Sequence, residues 1–62
     1  MRLFLIDFEY TFFNSDNYYR DFNYVLAKDE ENANIVFRDW VASEDPDTIL
    51  TSVGIQELPM IE

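Results

Sequence analysis

Carboxylates are the most abundant reactive groups in this 62-residue chain. It has 13 Asp and Glu side chains against four Lys and Arg, for a net charge of −9, and it contains no His and no Cys. The Ser–His and Cys–His pairs that activate a nucleophile therefore cannot form. One glycine is too few for a glycine-rich phosphate loop. We predict that the chain is not an enzyme and uses no cofactor.

Two short acidic segments, residues 29–31 and 44–47, are the places where a metal ion would be sought. Neither has the spaced oxygen ligands and central glycine of a calcium loop. The first segment fits the start of a helix, where carboxylates interact favourably with the helix dipole. The second contains Pro46 and fits a helix end. We therefore expect no metal site.

The excess of negative charge constrains the partner. Direct binding to nucleic acid is disfavoured, because contacts to phosphates require Lys and Arg. A protein partner with a basic, nucleic-acid-binding surface is favoured instead. Spaced carboxylates on a rigid support can also imitate DNA phosphates, provided that they form an ordered row. The alternative is that the acidic residues only keep a small apolar domain in solution.

Residues 2–13 alternate as a β-strand does, because successive side chains of a strand point to opposite faces. Apolar side chains share one face: Phe4, Ile6, Phe8, Tyr10 and Phe12. The other face is mixed: Leu3, Leu5, Asp7, Glu9 and Thr11. Residues 14–17 are turn formers, so residues 18–27 are predicted to return as a second strand. Residues 1–27 then form a β-hairpin.

A helix is predicted over residues 29–44, with Asp29 as its N-cap. Apolar side chains follow the spacing of one buried helical stripe: Ala33, Val36, Phe37, Trp40 and Val41. Residues 48–58 predict a third strand, in which Gly54 marks a bulge or a close backbone approach. The expected fold is α+β, a single small acidic domain over residues 1–62. It has a three-stranded antiparallel sheet with the helix packed on one face, in β-β-α-β order.

One helix leaves the other face of the sheet uncovered, and that face is the first candidate for partner binding. Asp7 and Glu9 lie on it, and Asp21 and Tyr19 of the second strand are expected to add to it. One Trp, four Tyr and six Phe are more than one helix–sheet interface of this size buries, so some of Phe13, Tyr18, Tyr19 and Tyr24 should remain exposed. Tyr-rich surfaces flanked by charge are typical of protein-binding patches.

Acidic residues of the helix form a second candidate surface: Glu30, Glu31 and Asp39. The alternative for the first candidate is an ordinary solvated sheet face. A bulge in the strand would exchange the two faces.

Residues 24–33, continued by Phe37, Arg38, Asp39, Trp40 and Val41, resemble a layout of small phage-encoded proteins. In that layout a strand ends in alanine, acidic residues cap a helix, and a closing strand follows. Over residues 18–58 it is similar to the inhibitor of bacterial RNA polymerase from T7-like phages. The arginines near the C-terminus with which that family contacts polymerase have no match in residues 48–62. The resemblance therefore implies a phage setting and transfers no functional residue.

The leading hypothesis is a phage or mobile-element protein that inhibits a host nucleic-acid-handling protein by binding its basic surface. Anti-CRISPR, anti-restriction and transcription inhibitors are all versions of it. The alternative is an assembly protein that self-associates, for example as a homodimer, through its exposed sheet face or edge. The apolar run at the N-terminus is interrupted by Asp7 and is too short for a signal peptide or a membrane helix. We expect a cytoplasmic protein with no membrane partner.

Overall fold

The computed structural model describes residues 1–59, and its elements follow the predicted order. They are β1 (Arg2–Phe12), β2 (Tyr19–Ala27), α1 (Glu30–Glu44) and β3 (Thr48–Leu58). The three strands form one open antiparallel sheet in the order β2-β1-β3. The predicted α+β fold, with a three-stranded antiparallel sheet and one helix, is confirmed. Residues 60–62 of the predicted domain lie outside the described residues.

The central strand β1 supplies most of the core. Phe4, Ile6 and Phe8 alternate along it, and all three are buried. Ile6 and Phe8 pack against Phe37 and Val41 of α1, while Phe4 packs in a second cluster with alanines of β2 and α1. The helix therefore covers the face on which the even-numbered residues of β1 lie.

Helix α1 begins at a cap and lies on the sheet along a narrow seam. The Asp29 carboxylate accepts a hydrogen bond of 2.7 Å from the Asn32 backbone N–H, which satisfies one of the free N–H groups of the first turn. Ala33, Phe37 and Val41 are the buried residues of the helix.

The predicted buried stripe of α1 was too wide. Val36 and Trp40 remain 44% and 46% exposed. The physical reason is the position of β2, which is the last strand on its side of the sheet. A helix over a three-stranded sheet has no fourth strand against which to cover these two side chains.

A β-bulge lies at the far end of the β1–β3 pairing. Glu9 pairs with Ser52 and Tyr10 pairs with Leu50, so Thr51 is the extra residue on β3. The Thr51 hydroxyl is 3.1 Å from the Glu9 backbone oxygen and 3.1 Å from Glu9 Oε1. Because the bulge comes after Glu9, it does not exchange the faces of Asp7 and Glu9.

Gly54 lies opposite Asp7 rather than at the bulge. A Cβ atom at position 54 would come within 2.5 Å of Asp7 Oδ1. The group that closely approaches this glycine is therefore a carboxylate side chain, where a bulge or a close backbone approach was predicted.

Candidate protein-binding surfaces

The face of the sheet that points away from α1, here called the uncovered face, carries Asp7 and Glu9 as predicted. Asp7 is exposed and lies between Phe22 of β2 and Gly54 of β3. Glu9 is half-buried and lies opposite Arg20. Arg20 offsets part of the charge, so the two carboxylates do not form a continuous row of negative charge on this face.

The rest of the uncovered face is apolar towards the beginning of β1. Register and burial place these side chains together: Leu3, Leu5, Phe22, Tyr24, Leu26 and Leu58. The rings of Phe22 and Tyr24 meet edge to face, with centroids 5.8 Å apart. A mixed surface of exposed aromatic rings and isolated charge is typical of protein-binding patches.

Asp21 and Tyr19 do not share this face, and the expectation that they would was wrong. The register pairs Asp21 with Phe8 and Tyr19 with Tyr10. Both therefore lie on the helix side of the sheet. Residues directly opposite in an antiparallel pair point to the same face, so a shift of one residue in register moves every side chain of a strand to the other face.

On the helix side, Asp21 contributes to a groove of about 180 Å³ between the hairpin end of the sheet and the end of α1. We call this groove the acidic cleft. Its apolar walls are Phe8, Tyr10, Phe12, Trp40 and Val41, with Thr48 beside them. Its carboxylates are Asp21 of β2, Glu44 of α1 and Asp45 after the helix.

Aromatic packing forms the walls of the acidic cleft. The Tyr10 ring stacks on Tyr19 and meets Phe12 edge to face, with centroids 5.6 Å apart in both pairs. Phe37 packs against both Phe8 and Trp40 beneath the groove. Each ring is therefore held by another ring, and the groove does not depend on a single contact.

The charged residues that line the cleft all have the same sign. In the part of the chain that the structure describes, none of the residues lining it is Lys or Arg. Arg2 lies near the other end of the strands. Its guanidinium binds the Glu57 carboxylate through Nη2–Oε1 at 2.8 Å and Nε–Oε2 at 3.0 Å, and Glu57 raises the pKa of Arg2.

This arrangement suits a basic side chain. Aromatic rings attract a Lys or Arg cation through their π faces, and apolar walls accommodate its methylene stem. Carboxylates at the opening pair with the charged end of the side chain. Over residues 1–59, no group of three or more acidic side chains is arranged to hold a metal ion.

Glu44 and Asp45 were predicted only as part of a helix end, and their place in the cleft was not predicted. That interpretation is also correct, because the Asp45 backbone N–H donates to the Val41 carbonyl and its carboxylate accepts from Asp47 N–H. One feature of the sequence does indicate that Glu44 lies near the apolar wall of the cleft, because Trp40 and Glu44 are four positions apart. Residues four apart lie on the same side of a helix.

The remaining predicted residues lie elsewhere. Glu30 and Glu31 are exposed in the first turn of α1, and Asp39 is exposed further along the helix. The prediction that aromatic residues stay at the surface is confirmed, since Phe13, Tyr18, Tyr19 and Tyr24 are all exposed. The seven predicted binding residues are thus divided among the uncovered face, the helix side of β2 and the outer surface of α1.

Comparison with protein-family models, curated proteins and solved structures finds no significant match to this chain. Among the described residues, no helix has both the length and the apolar character needed to cross a membrane.

Proposed function

We propose that this protein is a non-catalytic inhibitor that binds the basic surface of a nucleic-acid-handling protein. The acidic cleft receives a Lys or Arg side chain of that surface and so prevents the surface from contacting nucleic acid. The observation that supports this proposal is the combination of three carboxylates, aromatic walls and no basic lining residue in one groove.

The net charge of −9 raises the rate at which a basic partner approaches, whereas the cleft stabilises the complex once it has formed. Opposite net charges raise the rate of encounter, and this effect falls as salt is added. A basic side chain enclosed by rings and paired with carboxylates instead slows dissociation. Both steps favour a basic partner over a neutral one.

Imitation of a DNA phosphate row is not needed for this mode of binding. On the uncovered face Arg20 lies next to Glu9, which weakens the support for such a row there. A phage or mobile-element origin, and with it an anti-CRISPR, anti-restriction or transcription-inhibitor role in the bacterial cytoplasm, stays a prediction based on the layout of residues 18–58.

The cleft can be tested without knowledge of the partner, because Trp40 is the only tryptophan of the chain and lines the groove. An arginine-rich peptide is titrated into the protein, and the fluorescence of Trp40 is recorded. We expect saturable binding that weakens as salt is added. An absence of any change in emission or in calorimetric heat would contradict the proposal.

Two double variants with equal loss of charge locate the binding site. Asp21→Asn with Glu44→Gln removes two carboxylates of the cleft, and Asp7→Asn with Glu9→Gln removes two from the uncovered face. We expect the first variant to weaken peptide binding about tenfold or more, as for loss of charge-assisted hydrogen bonds of about 1.5–3 kcal/mol. The second variant, on the uncovered face, should weaken peptide binding much less. Equal weakening would mean that only net charge matters.

The nature of the partner is tested by affinity capture from bacterial lysate, with the cleft variant as the control bait. We expect wild-type protein to retain a basic nucleic-acid-binding protein at low salt and to release it at high salt. The purified pair should then compete with DNA or RNA. Retention of the same proteins by the cleft variant would contradict the proposed site.

A further inference from the structure

The outer edge of β2 is a second interaction surface. It adjoins the acidic cleft, with which it shares Asp21 and Trp40. Strand β2 spans nine residues, Tyr19–Ala27, and within residues 1–59 it pairs on one side only, with β1. The backbone N–H and C=O groups along its other side are available to another strand, except that the Phe22 N–H donates to the Asp21 carboxylate at 2.8 Å. Long apolar edges of this kind are sites at which chains pair with one another.

Large apolar side chains flank this edge on both faces of the sheet. Phe22, Tyr24 and Leu26 are 55–61% exposed on the uncovered face. On the helix side, Val36 and Trp40 border a groove of about 400 Å³ that runs along residues 23–26. We call this edge and its flanking side chains the β2 strip.

The other edge of the sheet is better protected. Strand β3 is interrupted by the bulge at Thr51, and its Glu57 is engaged by Arg2. Bulges and charges are the features with which proteins prevent pairing along an edge. Strand β2 contains no proline and pairs with β1 without a register shift.

The charge of the β2 strip identifies its occupant. Its two charged residues, Arg20 and Asp21, cancel, although the chain as a whole carries −9. A strongly basic partner gains little at a neutral strip and much at the acidic cleft. A second copy of this acidic chain is repelled elsewhere and can approach closely only where the surface is neutral. We propose that two copies pair antiparallel along β2 to form a continuous six-stranded sheet.

The sequence of β2 suggests the register of this pairing. With the two-fold axis at Asn23, Phe22 of each copy lies opposite Tyr24 of the other, which forms two aromatic cross-strand pairs. Both helices then lie on the same side of the sheet, with Val36 and Trp40 facing the space between them. A stable interface takes about 800 Å² from each partner, about a sixth of the 4756 Å² surface of the chain.

This inference does not depend on the proposed function, since it concerns another partner and is tested by the oligomeric state, although the β2 strip and the acidic cleft share Asp21 and Trp40. A dimer of this kind places two acidic clefts on the same side of one sheet. A basic partner that displays two suitable side chains would then be bound at both clefts, which strengthens binding without a new contact.

Sedimentation velocity and light scattering measure the state of the protein directly. At about 100 μM, far above a micromolar Kd, we expect a particle of twice the 7.4 kDa chain mass. Added salt should favour the dimer, because it screens the repulsion between two acidic chains. A monomer at this concentration, or a dimer that dissociates as salt rises, would overturn the proposal.

A matched pair of variants locates the interface. Phe22→Lys with Leu26→Lys places two charges on the β2 strip, while Ile49→Lys with Gln56→Lys places two on the same face at β3. We expect the first variant to be monomeric and the second to remain dimeric, with unchanged circular dichroism in both. A dimer that persists in the first variant would remove the β2 strip as the interface.

The register is tested in the otherwise wild-type chain, which has no Cys. Residues opposite each other in an antiparallel pair have Cα atoms about 4.5–5.5 Å apart, within the range of a disulfide. Asn23→Cys should therefore form a covalent dimer under mild oxidation, and Ser52→Cys on β3 should not. Failure of Asn23→Cys to crosslink, or equal crosslinking of both variants, would overturn the pairing centred on Asn23.

Discussion

The two faces of β1 differ in what they provide to the molecule. On the helix side, Phe4, Ile6 and Phe8 are buried against α1 or its neighbours. On the uncovered face, Leu3 and Leu5 are only half-buried, and Asp7 is exposed. Stability therefore depends on the helix side, where the buried apolar area is concentrated. Exposed side chains of the uncovered face, such as Asp7, can therefore change at little cost to the fold.

The largest expected effect tests this difference with the same Phe→Ala substitution on the two sides of the sheet, in α1 and in β2. Phe37→Ala removes a ring that is 1% exposed and should destabilise the protein by about 3–5 kcal/mol. That loss would unfold much of a 62-residue domain, whose total stability is of the order of 0.05–0.15 kcal/mol per residue. Urea unfolding followed by circular dichroism measures the change.

Phe22→Ala is the control, because Phe22 is 55% exposed on the uncovered face. We expect its effect on stability to stay within about 0.5 kcal/mol for the monomer, as for other surface substitutions. The comparison must be made below the concentration at which dimers form. Equal destabilisation by the two substitutions would show that both faces contribute to the core.

A smaller effect is expected at the start of α1, which holds the covering helix in place. Asp29→Ala removes the acceptor for the Asn32 N–H, and we expect a loss of about 1 kcal/mol. Asp39→Ala is the control, because it removes the same negative charge from the exposed middle of the helix, where no cap is lost. It should have little effect on stability. The thermal midpoint measures both variants, and a greater loss for Asp39→Ala would contradict the capping role.

The smallest effect is expected on the uncovered face itself, at Gly54. Gly54→Ala forces the Asp7 carboxylate to move, since the new Cβ would lie 2.5 Å from Asp7 Oδ1. That carboxylate is the exposed end of a side chain and can rotate away. Alanine also restricts the unfolded chain, so we expect a gain in stability of about 0.4–1 kcal/mol. A marked loss of stability would show that Asp7 is fixed in position.

The elements of this fold were predictable because each has its own local pattern. Alternation defined β1, the Asp29 cap and the apolar spacing defined α1, and β3 was predicted over the same residues that it occupies. The face on which Asp21 lies was not predictable. The face depends on the number of residues in the connection between β1 and β2. A change of one residue in that number moves Asp21 to the opposite face of the sheet.

The acidic cleft was missed for a related reason. Its carboxylates come from β2, from the last turn of α1 and from the residue after it. These segments meet only when the helix is packed on the sheet. The sequence contains the charge of each residue, but their proximity is a property of the packing between elements.

The position of β1 in the middle of the sheet has a consequence for how the chain folds. The β1–β2 hairpin is local and can close early, whereas β3 must return from beyond the helix to reach β1. The Arg2–Glu57 contact joins residues separated by 55 positions. Closing so long a loop costs entropy before it yields contacts, which slows folding. Docking of β3 is therefore expected to limit the folding rate, and the unpaired side of β1 is most vulnerable to misassociation until that step is complete.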